Sequence, residues 1–560
     1  MKFLSRSFDK ILDKGIEKEK QQLYPYLYSV YFKGLKERAE KKLKIEPIKC
    51  EQCSAVLTNF NLIKDDPKVG THFQCPYCGS INVISNQEIM ESLPDHIDFI
   101  IEDIEKGEEK DESETHAKVK GTEDELYIAV IDISGSMSGA KLESVKQSLV
   151  QTIKDFKMNS PNTKFILITF ESSVYLYLRH DRPPKRFTGD LLFAPDNMKK
   201  QLEDYFEKTS FLGSIGEFAD GWIDKVKGLQ SMDMTALGPA LFFAINTIGY
   251  FQTDSSGRLT LLTDGIANQG VGNLSGSSPG AQKFYENMAE LCNRNGVIVD
   301  VVGVSRTGDN NEMGLETLGK LTDNTGGTLF LISNEELERT FSEMRQKQYL
   351  GRDVKVRFIT PKFMEIKRVT GAQSAKRIKS SEINLGAVTG DRELYIELDS
   401  SKAGKELQKQ KEIPIQLQVE YKDNKGRKRL RVINDTVKIT TDENEFKSGY
   451  NQKLNTMMNI QEAGADYYSG KAKKSKNRLK SLRDALQSEM ASLSPEIRGN
   501  FDDSVEYIDE ELEEIEAEES ELKQKAAPQA SYRAVKGQMR SRISQELKEL
   551  RMQRKKEQKK

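Results

Sequence analysis

The sequence predicts an α/β protein whose largest unit is a doubly wound, Rossmann-like parallel sheet. Short apolar runs without polar alternation recur between residues 125 and 348, and amphipathic segments separate them. Such runs are typical of parallel strands that helices cover on both faces. The predicted strands are 127–133, 165–170, 259–263, 297–304 and 328–332, and the predicted helices are 140–156, 196–208, 236–249, 281–294, 311–322 and 334–346.

The segments before this unit have different patterns. Residues 1–45 space their apolar side chains as two amphipathic helices would, with Pro25 near the break. Residues 91–122 become acidic and lose apolar periodicity after Ile104, which predicts a solvated linker. Between them, residues 46–90 hold four of the five cysteines among short β-rich pieces.

Those four cysteines form two Cys-x-x-Cys pairs separated by 21 residues. Cys50 and Cys53 make the first pair, and Cys75 and Cys78 make the second. This spacing is typical of structural zinc sites, in which four thiolates close a tetrahedron and leave no place for water. Free or redox-active thiols are the alternative. We expect the fifth, Cys292, to be a small buried residue of a helix.

The segments after residue 350 predict two further kinds of structure. Residues 351–442 alternate with period two between turn-like segments, which predicts an antiparallel β-sandwich. Residues 443–500 resemble helices joined at Gly464 and Gly470. The predicted units are therefore N-terminal helices (1–45), a zinc ribbon (46–90), an acidic linker (91–122), the α/β domain (123–350), a β-sandwich (351–442), a helical region (443–500) and a charged tail, helical or disordered (501–560).

Length and composition argue against a nucleic-acid-coating, membrane-spanning or secreted protein. The 560 residues, at about 100–200 residues per domain, leave room for several domains. The 85 Lys and Arg nearly balance the 87 Asp and Glu, which argues against a protein that coats nucleic acid. No apolar run is long enough to span a membrane, and the N-terminus lacks the apolar core of a signal peptide. We expect a cytoplasmic protein, with a peripheral position on membranes as a variant of that expectation.

Carboxylates and hydroxyls follow the predicted strands at one end. Asp132, Ser134 and Ser136 come at the end of the first strand, Thr235 begins a helix, and Asp264 ends another strand. In a parallel sheet such loops share the carboxyl edge, where these folds place their sites. Two carboxylates and three hydroxyls are hard oxygen ligands, which Mg²⁺ and Mn²⁺ prefer. Hydroxyls that only cap the following helix are the alternative.

This DxSxS, Thr and Asp set resembles the metal-ion-dependent adhesion site (MIDAS) of von Willebrand factor A (vWA) domains. The resemblance implies that these five side chains bind Mg²⁺ or Mn²⁺, some of them directly and others through water. An ion held by only two carboxylates keeps positive charge for an acidic residue of a partner protein. A vWA-like fold with an empty site is the alternative.

The order of units resembles the inner-coat proteins of COPII transport vesicles. It is also similar to the circularly permuted Ras proteins, which carry the same pair of zinc ribbon and vWA domain. The segments that carry the resemblance are CPYCGSINV, DISGSMSGAKLESVK, TALGPALFFAI and LLTDGIANQG. It implies an interaction scaffold in vesicle-mediated transport, with coat subunits or a small GTPase as partners. The GxxxxGK[ST] phosphate loop of a GTPase is not found in the sequence.

We therefore expect a Mg²⁺-dependent protein-binding scaffold and not an enzyme. Metal-assisted hydrolysis would need a base or a second metal near Asp132, and the four histidines stand in no catalytic motif. An adaptor that recruits substrates to a ring ATPase is the alternative. A nucleic-acid-associated factor is less favoured, because aromatic residues do not interleave with the basic residues of the tail.

Overall fold

The structure is a computed structural model. It describes residues 3–13, 20–37, 39, 41–44, 46–57, 63–84, 95–102, 126–208, 212–232, 234–251, 257–275, 279–305, 314–333, 337, 340–341, 344, 347–372, 381–400, 404–423, 426–524 and 529–558.

The segments that precede and follow the α/β domain in the sequence consist mainly of strands, and the C-terminal part of the chain consists of helices. The described strands are β1 (Leu4–Arg6), β2 (Lys10–Leu12), β3 (Tyr26–Tyr31), β4 (Lys41–Leu43), β5 (Ile63–Asp66), β6 (Gly70–Gln74), β7 (Ile81–Val83), β8 (His96–Glu102), β9 (Leu126–Asp132), β10 (Lys164–Phe170), β11 (Val174–Tyr177), β12 (Lys185–Phe187), β13 (Gly257–Thr263), β14 (Val297–Ser305), β15 (Leu329–Ser333), β16 (Tyr349–Ile359), β17 (Glu365–Thr370), β18 (Glu382–Thr389), β19 (Glu393–Asp399), β20 (Glu412–Lys422) and β21 (Lys428–Thr440). The described α-helices are α1 (Ala140–Asn159), α2 (Pro195–Phe206), α3 (Ile215–Lys227), α4 (Leu237–Phe251), α5 (Pro279–Arg294), α6 (Leu315–Thr325), α7 (Gly404–Gln408), α8 (Glu443–Ser448), α9 (Gln452–Tyr468), α10 (Ala472–Met490), α11 (Pro495–Gln524), α12 (Gln529–Ser541) and α13 (Gln545–Gln558).

The predicted doubly wound sheet is confirmed. Its strand order is β12-β11-β10-β9-β13-β14-β15, and the five strands from β10 to β15 in that order run parallel. Helices α1 and α3 cover one face and α2, α4, α5 and α6 cover the other. Strand β9 is buried along its whole length, as a central parallel strand must be. The apolar runs do not predict β11 and β12, which extend one edge antiparallel.

The β-sandwich consists of two antiparallel-rich sheets. One has the order β1-β3-β19-β17, and the other has the order β18-β16-β20-β21-β8-β4, with β2 paired to β21. The predicted region, 351–442, therefore supplies only part of the sandwich. Strands from the first 102 residues complete both sheets, so the α/β domain is inserted between two parts of one sandwich.

The prediction of N-terminal helices over 1–45 was wrong. In the described part of that segment the chain forms β1 to β4 and one short 3-10 turn, Phe32–Lys36. All six residues of β3 are buried, because β3 lies between β1 and β19 with both faces covered. A strand buried on both faces has no polar alternation, so its apolar residues also match helical spacing.

The acidic linker predicted over 91–122 needs correction at its start. Residues 96–102 form β8, which pairs antiparallel with β21 and parallel with β4. Asp98 on this strand is fully buried against Arg429 and Arg431, so its charge belongs to an interior ion pair and not to a solvated linker. The remainder of the predicted linker, 103–122, lies outside the described residues.

The zinc-ribbon segment connects β4 to β8, which are parallel neighbours in one sheet. Parallel neighbours need a crossover, and here the crossover carries the small sheet β5-β6-β7. Buried Gln416 of β20 fastens it to the sandwich: Gln416 accepts from Val56 N at 2.8 Å and donates to Val56 O at 3.0 Å. These hydrogen bonds attach the ribbon to the sandwich.

The C-terminal helices pack around α9, which is almost entirely buried. The predicted helix junction at Gly464 was wrong, because Gly464 lies inside α9. A side chain there would come within 2.4 Å of Ser541 N, so the glycine permits close contact with α12. Gly470, with φ +74°, does separate α9 from α10. Across its described residues, the charged tail is helical.

Helix α12 joins this helical region to the α/β domain. Gln538 accepts from Leu329 N at the start of β15 and donates to Thr322 Oγ1 of α6, each at 2.8 Å. Arg542 of the following turn donates to Gly327 O at 2.7 Å. The parallel sheet is thus supported from the helical side. Among the described residues, no helix has both the length and the apolarity to cross a membrane.

The acidic and basic runs of the tail meet in a buried ion network. Glu511 of α11 contacts Arg540 of α12 and Lys548 of α13, and all three side chains are nearly inaccessible to solvent. Burial by itself would raise the pKa of Glu511, but the two cations outweigh burial and hold that pKa at about 2. The carboxylate therefore holds three helices together.

We predict that Glu511→Gln lowers the free energy of unfolding by about 2–3 kcal/mol at pH 7, because it removes the buried anion that Arg540 and Lys548 share. Each cation keeps one other carboxylate, Glu518 for Arg540 and Glu510 for Lys548. A carboxylate with a depressed pKa stabilises the fold above its unfolded pKa of about 4.3. That contribution is lost as the pH falls from there towards 2. Urea unfolding at pH 7 and at pH 3 should show a large difference between wild type and variant at pH 7 and a smaller one at pH 3. Glu513→Gln, at an exposed position of the same helix, is the control and should change little.

Candidate functional site

Two neighbouring strands of the parallel sheet end in aspartates at the same edge. Strand β9 ends at Asp132, and Asp264 directly follows β13, which pairs with β9 in parallel. Both side chains are buried, at 0% and 2% exposure. Because parallel strands bring their carboxyl ends together, the sheet places these two carboxylates side by side.

Asp132 is oriented by two hydrogen bonds. Ser134 N donates to its Oδ1 at 2.8 Å, and Thr263 Oγ1 donates to its Oδ2 at 2.7 Å. Burial raises the pKa of Asp132 to about 6, the hydrogen bonds oppose this rise, and the nearby Asp264 adds to it. Thr263 was not among the predicted site residues, although its position one residue before Asp264 is visible in the sequence.

The two serines connect the aspartates. The 3-10 turn Gly135–Met137 follows β9 and brings Ser134 Oγ within 3.1 Å of Ser136 Oγ. Ser136 Oγ in turn donates to Asp264 Oδ1 at 2.6 Å. Ser136 is exposed whereas Ser134 is buried, so the chain of oxygens leads from the sheet to the surface.

Thr235 reaches the same edge from the loop before α4. Its backbone N donates to Asn268 Oδ1 at 3.1 Å, and Asn268 N donates to Thr235 O at 3.2 Å. Its Oγ1 lies 3.9 Å from where a Cβ on Gly265 would be, one residue after Asp264. The structure thus brings all five predicted side chains to one edge, and we call this group the sheet-edge site: Asp132, Ser134, Ser136, Thr235 and Asp264.

One charged residue beside the sheet-edge site was not among the predicted residues. Lys141, in the first turn of α1, places its Nζ 2.5 Å from Asp264 Oδ2, and the two side chains are 4% and 0% exposed. A signal existed in the sequence: a lysine in the first turn of a helix opposes the helix dipole and needs an anion nearby. Lys141 also lies close in sequence to Ser134 and Ser136, which marks it as a neighbour of the predicted site.

The donor set fits a small divalent cation. Two carboxylates and three hydroxyls are hard oxygen ligands of the type that Mg²⁺ and Mn²⁺ select. The ammonium of Lys141 already neutralises one of the carboxylates, so a cation at this edge meets a site that carries less negative charge than the two aspartates alone would give.

Exposed methionines border the sheet-edge site. Met232 N donates to Ile133 O at 2.6 Å, which places the backbone of Met232 beside the residue between Asp132 and Ser134. Met232 and Met234 are each 49% exposed. Flexible, polarizable methionines are common at protein-binding surfaces.

The four ribbon cysteines lie together, as their spacing predicts. Their sulfur atoms are all within 4.8 Å of one another, and the Cys50–Cys78 and Cys53–Cys75 sulfur pairs are each 3.5 Å apart. A tetrahedral ion with Zn–S bonds of about 2.3 Å separates its sulfurs by slightly more than this. The cluster therefore fits a structural metal ion.

The two cysteine pairs have the same local geometry. Ser54 N donates to Cys50 O and Gly79 N donates to Cys75 O, each at 2.8 Å, so each pair closes a tight turn. The residue that closes each turn has positive φ, +59° at Ser54 and +79° at Gly79. His72 is exposed on β6 and contacts Gly70 O, outside this sulfur cluster.

Cys292 behaves as its sequence context predicts. It is fully buried on α5, and burial raises the pKa of its thiol, which keeps the sulfur protonated and unreactive.

Comparisons with known proteins agree with this architecture. Residues 122–355 match the family model described as the Sec23/Sec24 trunk domain. The circularly permutated Ras protein 1 of Dictyostelium discoideum is 24% identical over 450 residues, which are 74% of this chain and 50% of that protein. The chain thus spans about half the length of this curated relative.

A solved structure shows the same fold. The crystal structure of the human COPII-coat protein Sec24c superposes with a TM-score of 0.63 at 16% identity, covering 98% of this chain and 76% of that one. The ArnB paralog VWA2 from Sulfolobus acidocaldarius matches with a TM-score of 0.42 at 13% identity, over 74% of this chain and 88% of that one. The expected likeness to the COPII inner coat is therefore confirmed at the level of the fold.

We predict that Cys75→Ser abolishes stoichiometric zinc binding and loosens the ribbon, because three thiolates cannot close the site. Elemental analysis of the purified chain and limited proteolysis within residues 46–84 measure the two effects. Cys292→Ala removes a thiol outside the cluster and should keep the zinc content of wild type. Full zinc content in Cys75→Ser would contradict the four-cysteine site.

Proposed function

We propose that this protein is a coat-type interaction scaffold whose sheet-edge site holds Mg²⁺ or Mn²⁺ and binds an acidic residue of a partner protein. The observation that carries the proposal is the convergence of two buried carboxylates and three hydroxyls at the carboxyl edge of the parallel sheet. The likeness of residues 122–355 to the Sec23/Sec24 trunk domain supports the coat setting.

Each residue of the site has a distinct part in this proposal. Asp132 presents a carboxylate that Ser134 N and Thr263 hold in a fixed orientation, and Ser136 links that carboxylate's turn to Asp264. Asn268 holds the Thr235 loop against the same edge through two backbone contacts. A divalent cation bound there would offer a partner carboxylate an electrophilic ligand position.

The surroundings suit a protein partner. Ser136 is exposed, so an incoming carboxylate can approach from solvent. Met232 and Met234 stand beside the site as half-exposed apolar side chains, which can pack against residues flanking the acidic one. A binding hot spot usually consists of an anchor in a desolvated pocket, surrounded by contacts that exclude water.

The remaining units would act as a frame. The ribbon, with zinc as its structural ion, fastens to the sandwich, and α12 fastens the helical region to the α/β domain. We propose partners of the coat-subunit or small-GTPase class, with a ring ATPase as the alternative, and a cytoplasmic location that becomes peripheral to membranes in the assembled coat. Binding, without turnover, is the proposed activity: His72, His96 and His180 lie in the ribbon, on β8 and after β11, and none of them belongs to the sheet-edge site.

We predict that Asp132→Ala abolishes binding of Mn²⁺, used as a spectroscopic probe of the magnesium site, because the variant removes one of two carboxylates. Titration of the full chain followed by electron paramagnetic resonance measures the loss. Asp220→Ala removes an exposed carboxylate on α3 of the same domain and should bind the ion as wild type does.

The same three proteins test partner binding. Affinity capture from the native cell in Mg²⁺ and in EDTA should retain one set of proteins with wild type and Asp220→Ala in Mg²⁺ only. The members of that set then distinguish coat subunits and small GTPases from a ring ATPase. If Asp132→Ala captures the same proteins as wild type, and does so in EDTA, the sheet-edge site is excluded as the docking surface.

A further inference from the structure

The Lys141–Asp264 ion pair lies inside the candidate metal site. Lys141 Nζ is 2.5 Å from Asp264 Oδ2, and neither side chain has more than 4% of its surface exposed. The other oxygen of the same carboxylate, Oδ1, accepts from Ser136 Oγ at 2.6 Å. Both oxygens of a proposed metal ligand are therefore in use within the chain.

The charge of Lys141 compensates the buried charge of Asp264. A buried carboxylate needs a counter-charge, and Asp264 has Asp132, a like charge, beside it. The ammonium meets that need from the first turn of α1, a place where the helix dipole disfavours a cation. A divalent ion at the same edge would also supply a counter-charge to Asp264. The ion and the Lys141 ammonium would therefore compete for the same carboxylate.

We propose that Lys141 is a tethered cation that competes with the divalent ion for Asp264. This inference rests on the proposed function, because it concerns the regulation of the same site. In the absence of the ion, Lys141 neutralises Asp264 and thereby stabilises the folded site. Binding of the ion requires that Lys141 give up its contact with Asp264. The binding free energy of Mg²⁺ is therefore the free energy of its contact with Asp264 minus the free energy of the Lys141 contact that it replaces.

Population arithmetic gives the expected effect. If the Lys141–Asp264 pair is populated tenfold over the open arrangement, the apparent affinity for the ion falls about tenfold. Removing the ammonium removes that competition and also removes a positive charge close to the incoming ion. The free carboxylate then becomes a stronger ligand, at the expense of stability without the ion.

The test uses the full chain with Lys141→Met, which keeps much of the side-chain length and removes the charge. Lys146→Met is the matched control: it removes a mostly buried lysine on the same helix that pairs with Glu143. We expect Lys141→Met to bind Mn²⁺ about tenfold more tightly than wild type, and Lys146→Met to bind it with unchanged affinity. Calorimetric titration measures both.

A second readout is the melting temperature with and without the ion. In EDTA, Lys141→Met should melt below wild type, because Asp264 is left buried without a cation. Saturating Mn²⁺ should restore it to the wild-type value or above. Lys146→Met should show the same shift from wild type in both conditions.

The outcomes separate this inference from the proposed function. If wild type binds Mn²⁺ and Lys141→Met binds it no more tightly, competition by Lys141 is refuted while the metal site stands. If only Lys141→Met binds the ion, the competition is upheld and the metal-dependent function of the wild-type chain is refuted. If neither binds the ion, both are refuted.

Discussion

The structure of the sheet-edge site depends on two carboxylates buried side by side at the ends of β9 and β13. Adjacent parallel strands force Asp132 and Asp264 to the same edge, and the helices on both faces of the sheet remove them from solvent. Two buried like charges repel each other and lose their hydration. This cost is offset by hydrogen bonds from Ser134 N, Thr263 and Ser136 and by the charge of Lys141.

The two carboxylates are compensated in different ways. Asp132 receives neutral donors, a backbone N–H and a hydroxyl, which orient it without cancelling its charge. Asp264 receives a full positive charge from Lys141. The proposed metal site differs from an open acidic cluster, because an entering ion would exchange with a charge already present. The proposed docking surface would respond to the concentration of the ion and not only to the presence of the partner.

The sequence could predict the features that depend on local chemistry and strand periodicity. The parallel strands, the cysteine cluster and the five residues at the sheet edge follow from short-range patterns that the fold brings together by topology. The N-terminal segment could not be predicted in this way. Strand β3 is buried on both faces because residues hundreds of positions away in the chain pack around it, for example Phe358 of β16 against the Tyr28 ring. Nothing within residues 26–31 distinguishes that environment from the buried side of a helix. Gly464 shows the same limit, since the reason for its small size is the approach of α12.

The same long-range pairing separates the cysteine cluster from the sheet-edge site. The ribbon is the crossover between β4 and β8, and its hydrogen bonds go to Gln416 of the sandwich. The sheet-edge site belongs to the α/β domain, which is inserted into the chain between β8 and β16. Loss of the ribbon metal would therefore weaken one edge of the sandwich first, because β4 and β8 lie at that edge. Among the described residues, the donors to Asp132 and Asp264 come from the α/β domain, so the geometry of the sheet-edge site does not depend on the ribbon. One ion would thus serve the frame and the other the partner, and the insertion of one domain into the other keeps the two roles independent.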